Sequence, residues 1–534
     1  LRRRVVLAGL AVTGLPGAAL AQTSLAQPSS PSPPAPVPAA NPQAATEGDT
    51  IGQGFSRYVI AEWGDALLTG APNFTPGALT ADAASTQFPY DAVITGLVAP
   101  PPAQDGIARL VAVFANPTAP ARMLFPGGVD QPAIAGAMQG ATILNLQLMN
   151  HRWTFVAGGF QSRRINDGTL CQISGPAAAA IGDTVQGLLG PQAGCVTPWG
   201  TALFAEGDAS AWLARLPGTG LGFDDPANAP KFGWVAEVDP LDPSAFPMKR
   251  TALGRFPRAG IAAAALADGR PVLFMTQDDP AGLLFRFIAA SAATDGTALD
   301  SGTLSVAQIE DNVITWADLP SGNAALVGTI GAAKNAGGSA FDAPAGLAID
   351  PKSGMLYLAC RGNAARGQAA TNALNPRAGD DNGHVLTFQA PGNDFSAKSF
   401  TGDLAIAAGN PASASFTQYT PGSAAWLRRP TTLGLDGQGQ LWIGTDQNGD
   451  TSATADGLFI MQTQGPSKYL LTTAYLAPAG AAIGSAAFAG DTTITVARHP
   501  GATPGATMAS PATRWPTLRP DMPPQTTVMA LVSA

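Results

Sequence analysis

An all-β fold assembled from many short strands is what this sequence predicts, and three observations carry it. The 534 residues include 62 glycines and 47 prolines, which populate turns and interrupt helices. Apolar runs such as "ARLVAVFA", "RPVLFMTQDD", "GLLFRFIA" and "TTITVAR" recur between those turn residues, at strand rather than helix length. Third, two segments are copies of one unit: Pro344, Leu347, Asp350, Leu356 and Tyr357 align with Pro430, Leu433, Asp436, Leu441 and Trp442. Each copy reads as strand, Asp-and-Gly turn, strand, the hairpin core of a propeller blade. The copies lie 86 residues apart, which is two blades of about 40 to 45 residues or one blade with a long insertion. A β-propeller with long loop insertions is therefore expected.

The chain reads in three parts. Residues 1–21 open with Arg2, Arg3 and Arg4, continue through an apolar stretch and end at Ala19-Leu20-Ala21, the pattern of a cleaved signal peptide. Arg3-Arg4-Val5-Val6-Leu7 fits the twin-arginine form of such a signal. Gly14, Pro16 and Gly17 interrupt the apolar run, which falls short of the ~20 residues that a membrane span needs. Export to the periplasm or beyond is expected, with no membrane span after cleavage. Residues 22–50, rich in proline and alanine without apolar periodicity, read as a disordered linker. A single domain is expected from residue 51 to 534.

Composition excludes several functions. Only 12% of residues are charged and the formal net charge is -8, so a basic footprint for nucleic acid is lacking. Cys171, Cys195 and Cys360 are the only cysteines; at most one disulfide can form within the chain, and its pairing stays open. His151, His384 and His499 are far apart and no CxxC occurs, leaving a zinc site without sequence support. Dinucleotide and haem-attachment motifs are absent as well.

From Trp63 onward, collinear segments resemble the PhoX family of exported alkaline phosphatases. "WGDALLTGAPNF" is similar to that family's WGDP segment, "QSRRIN" to its NRRI, and "CVTPWGTAL" to its CAGG-x-TPWGT loop. "FGWVAEVDPLDPSAFPMKRTALGRF", "NPRAGDDNGHVL" and "ARHPGA" resemble its GWVVEVDP…KRTALGRF, NPR…GHI and QHPGE runs. The resemblance implies a six-bladed propeller whose central pocket holds iron and calcium and hydrolyses phosphomonoesters. Several cations there neutralise phosphate oxygens and activate a nucleophile, and many carboxylates must cage them.

The cage positions are substituted. The family's metal-ligating cysteine falls on Gln192, and the last glycine of that loop on Cys195. Its Asn-His-Glu reads Ala115, Asn116 and Pro117, and its FGYNND keeps one displaced carboxylate, Asp91. Its His-Glu after ALGRF reads Pro257-Arg258-Ala259, and its Asp-Arg-Pro-Glu reads Asp342, Ala343, Pro344 and Ala345. Its Pro-Asp-Asn reads Pro430, Thr431 and Thr432, and the acid of HPGE reads Ala502. Glu206, Asp446, Asp278 and Asp279 remain as residual metal candidates, with no catalytic residue assigned.

The expected protein is thus a catalytically degenerate PhoX-like module without a cofactor, binding an unidentified small molecule or protein at the propeller channel, as a monomer. The alternative is a phosphomonoesterase with a rebuilt, calcium-dependent site. Cys195 reads as a buried, inert thiol. Asp350 and Asp436 read as turn residues capping backbone N–H groups, and Trp63, Trp199 and Trp442 as packing anchors with indoles bonded to backbone.

Overall fold

The computed structural model describes residues 43 to 533, apart from 295 and 413–415. The expected signal peptide, and the linker as far as residue 42, lie outside the described residues. Residues 43–50, grouped with the linker by composition, are packed: the Gln43 side chain donates to the Trp426 carbonyl, the Thr513 hydroxyl donates to the Glu47 carbonyl, and Asp49 pairs with Arg57.

Among the described residues the chain is mostly β, and most of its strands fall into six antiparallel meanders of four. Their first strands are β1 (Val93–Val98), β2 (Pro191–Val196), β3 (Arg258–Ala265), β4 (Pro344–Asp350), β5 (Pro430–Leu435) and β6 (Ala482–Ala489). The first five meanders take all four strands from consecutive chain. The last takes its fourth strand, Phe55–Glu62, from near the N-terminus, pairing it antiparallel with Thr527–Ser533. Extra strands decorate the outer edges. Val313–Asp318 bridges the third and fourth meanders into one nine-stranded sheet, and Leu170–Ser174 joins the second in parallel with Met248–Arg250.

Contacts among the first strands run in sequence order and return to the start: β1 lies against β2, β2 against β3, and so on through β6, which lies against β1. Their approach is backbone to backbone. A Cβ on Gly346 would stand 2.7 Å from the Thr431 carbonyl oxygen, and one on Gly260 would collide with the Ala345 carbonyl. Between meanders the packing is apolar and aromatic, with Phe274, Phe395 and Phe400 in one cluster and Trp442, Tyr475 and Trp515 in another.

The two sequence copies prove to be the starts of consecutive meanders. Their spacing is one repeat with insertions, chiefly the loop between Met355–Cys360 and His384–Gln389 and the segment after Ser399–Ala407. Asp436 accepts from the Gln438 and Gln440 N–H groups, and Asp350 from Lys352 N–H, as their turn positions require. The indoles differ from expectation: Trp442 donates to the Asp436 carboxylate at 2.9 Å and Trp199 to Glu237 at 3.2 Å.

Gly260→Ala and Gly346→Ala should each lower stability in urea titration by about 1 to 3 kcal/mol, the usual range for overpacking. A loss below about 0.5 kcal/mol, the range of neutral surface changes, would mean that the first strands are free to move apart.

Candidate functional site

The starts of the six first strands surround a cavity of about 390 Å³. In an antiparallel meander the end of the second strand lies beside the start of the first, so residues just past the second strands also reach it. Asp278 follows Pro271–Gln277, Arg361 follows Met355–Cys360, Asp446 follows Leu441–Thr445, and Arg498 ends Thr492–Arg498. All four line the cavity.

Six positions at which the resemblance places lost ligands also lie on its wall: Gln192, Ala259, Ala345, Thr431, Thr432 and Ala502. Cys195 does not. It packs beside Ala193 and Trp199 against the core between the second and third meanders, and burial pushes its thiol up to about 12. Cys171, Cys195 and Cys360 are all free thiols.

The four metal candidates part company here. Asp278 and Asp446 share the cavity. Asp279 does not line it, and its carboxylate accepts from the Ala281 N–H at 2.8 Å within a turn. Glu206 sits past no second strand but at the end of one, and its carboxylate turns inward. It accepts from the N–H groups of Leu189, Gly233 and Trp234 and pairs with Lys249 at 2.9 Å, both side chains being fully buried.

Sequence reasoning missed the cations. Arg361 donates to Asp278 at 2.6 Å. Arg498 forks onto Asp91, Nε to Oδ1 at 2.8 Å and Nη2 to Oδ2 at 3.0 Å, while its Nη1 lies 3.5 Å from Asp446. The Thr118 hydroxyl adds a 2.5 Å bond to Asp91. Burial opposes the charge on Asp91, yet Arg498 outweighs it and holds the carboxyl below its ordinary range. Arg122 reaches the Thr503 and Ala506 carbonyls from the same wall. The sequence shows Arg361 in "ACRG" and Arg498 in "ARHP" at strand ends, but their carboxylate partners lie 83 and 407 residues away.

Beneath Asp446 lies Asp456, which accepts from the Thr445 hydroxyl at 2.7 Å and the Gln447 N–H at 3.0 Å. Burial, with Asp446 close by, pushes its carboxyl up to about 7. Several polar atoms on the cavity wall have no protein partner: the Tyr90 hydroxyl, the Thr432 hydroxyl, Arg361 Nε and His499 Nδ1.

This donor set does not fit a cluster of iron and calcium ions. Both cavity carboxylates face guanidinium groups, and Asp91 has both oxygens taken. Among the described residues, no three His, Cys, Asp or Glu side chains converge into a group able to hold a metal ion.

A mostly β scaffold with a polar cavity at the starts of its first strands defines the class. Residues 39–501 match the family model described as alkaline phosphatase PhoX, and the chain belongs to the PhoX family. Among solved structures it is similar to Pseudomonas fluorescens PhoX in complex with vanadate, a transition state analogue. That match has 26% identity and a TM-score of 0.81, over 92% of this chain and 97% of that one. A putative gluconolactonase is matched at 10% identity and a TM-score of 0.34, over 92% of this chain and 97% of that one. That superposition is too loose to compare sites. No curated protein matches the chain. No helix among the described residues is long and apolar enough to cross a membrane.

Two outcomes test this geometry. Glu206→Gln should cost about 3 kcal/mol in urea unfolding, because it leaves the Lys249 ammonium buried and unpaired; a loss under about 1 kcal/mol would show that water reaches the pair. For Asp456, a raised carboxyl keeps in the fold a proton that the unfolded chain releases near pH 4. Its stabilisation is present below that pH and lost as pH rises through about 7. Asp456→Asn should therefore gain stability relative to the natural chain by on the order of 2 kcal/mol between about pH 4.5 and pH 8. A difference that is flat with pH would place the Asp456 carboxyl in solvent.

Proposed function

We propose that this chain is an exported, six-bladed β-propeller and a catalytically degenerate relative of the family's metal-dependent phosphatases, acting as a binding module through its central cavity. The propeller reading rests on six four-stranded meanders whose first strands touch in cyclic order. Export rests on the signal-like N-terminus and on the family, whose members are typically exported.

One observation carries the loss of catalysis: the cavity carboxylates face arginines rather than one another. A multi-metal site needs anionic oxygens free to ligate, and phosphoryl transfer needs charge positioned where the transition state develops it. Neutral Ala, Thr and Gln on the wall supply no such charge.

A calcium-dependent phosphomonoesterase is the second reading. Its support is that Asp278 and Asp446 line one cavity, as the vanadate-binding relative's activity would require of some residues here. Elemental analysis of the purified chain, run beside turnover of p-nitrophenyl phosphate with and without calcium, separates the two. Substoichiometric iron and calcium with no turnover above a heat-killed control is expected. Stoichiometric iron with turnover overturns the proposal, and turnover with calcium alone establishes the second reading.

A further inference from the structure

Arg498 differs from the other cavity cations in what it joins. Its guanidinium donates two bonds to Asp91 and a longer third to Asp446, so one cation serves two carboxylates from distant parts of the chain. The Asp91 carboxylate is wholly buried and the Arg498 side chain is 8% exposed. Buried carboxylates need a cation or a proton, and here the cation is covalently part of the chain. Oxygen donors stand around the same point. Thr118 donates to Asp91, and the Tyr90 hydroxyl, on a residue 1% exposed, lines the cavity without a protein partner.

We propose that Arg498 is a built-in substitute for a metal ion: it occupies the cation position between Asp91 and Asp446, and removing its charge uncovers a divalent-cation site of the calcium type. The inference rests on the metal-free reading above and gives its physical cause. A guanidinium is planar, always charged and matched to carboxylate geometry. While it is in place, both Asp91 oxygens already accept from the guanidinium, and a cation approaching Asp446 meets a like charge. Without it, two carboxylates and neighbouring hydroxyls, with His499 also close to Asp91, would form a donor set made mainly of oxygens, which favours calcium over softer ions.

The test is Arg498→Gln, which keeps polarity and much of the length without the charge, compared with the natural chain, Arg498→Lys and the double variant Arg498→Gln/Asp91→Asn. Each is melted in chelator and in calcium chloride, and calcium binding is measured by calorimetry. Arg498→Gln should melt lower than the natural chain in chelator and rise by about 3 to 5 °C with calcium in large excess. The natural chain, Arg498→Lys and the double variant should not respond. Arg498→Gln that ignores calcium, or that fails to fold at every calcium concentration, overturns the inference, as does an equal calcium response in the natural chain. Iron and turnover in the natural chain would sink the metal-free reading, whereas an unresponsive Arg498→Gln in a metal-free family member sinks this inference alone.

Discussion

The pairing of Phe55–Glu62 with Thr527–Ser533 is the interaction on which the rest of the molecule depends. It completes the sixth meander with a strand from the other end of the chain. Loop-closure entropy grows only with the logarithm of length, about 0.6 kcal/mol for each doubling. Closing nearly the whole chain therefore costs little more than closing one meander, and a ladder of this length exceeds it. The seam is reinforced around the cavity: Gln525 donates to the Trp63 carbonyl at 2.7 Å, Trp63 donates to Thr526, and the Thr526 hydroxyl donates to the Tyr90 carbonyl. The Arg498–Asp91 pair crosses the same seam, so the residue that fixes the cavity's charge also helps to close the fold.

Buried arginine is a recurring device in this chain. Arg164 donates to the carbonyls of Ala137, Met138, Gln139 and Ala141, with Asn116 and Thr142 as further acceptors. Arg258 donates to the carbonyls of Gly233, Leu253, Gly254 and Phe256 and stacks on the Phe256 ring. Burial pulls both guanidiniums down to about 9, which still leaves them charged at neutral pH. Five donors in a rigid fork let one residue satisfy several carbonyls at helix ends and turns at once. Arg258 stands next to a wall position, Ala259, yet points into the scaffold, whereas Arg498 applies the same chemistry to carboxylates.

What the sequence disclosed follows from what is local. Strand length, turn chemistry at Asp350 and Asp436, and the copy relation between their hairpins are properties of short segments, and all three appear in the structure. The spacing of the copies was ambiguous because insertion length carries no periodicity; the structure resolves it as one repeat. Among site residues, Asp278 and Asp446 stand out in the sequence only through the resemblance to the family, and both line the cavity because each follows the end of a second strand. Glu206 occupies an equivalent place in its meander, but Lys249 and three backbone N–H groups draw its carboxylate inward, and nothing near Glu206 in sequence announces them. Arg361 and Arg498 were overlooked for the converse reason: each adjoins a strand end, but its carboxylate partner lies 83 or 407 residues away.

Loss of a metal cluster and loss of its carboxylates are, on the proposed reading, one physical event. Carboxylates crowded around a cavity repel one another unless cations lie between them; without cations, each must bind a proton, acquire a positive neighbour or be replaced. The cavity wall displays two of these solutions side by side. Most ligand positions carry Ala, Thr or Gln, which need no counter-charge; the acids left on the wall, Asp278 and Asp446, face Arg361 and Arg498, and the buried Asp91 nearby pairs with Arg498 as well. Asp456, behind the wall and without an arginine of its own, takes the third course and holds its proton to about pH 7. The scaffold is indifferent to the choice, because the first strands meet through backbone and glycine rather than through the side chains that line the cavity. That separation allows a wall emptied of ligands to keep the shape of one that held them, and it explains how TPWGT and its neighbours remain recognisable where the chemistry has changed.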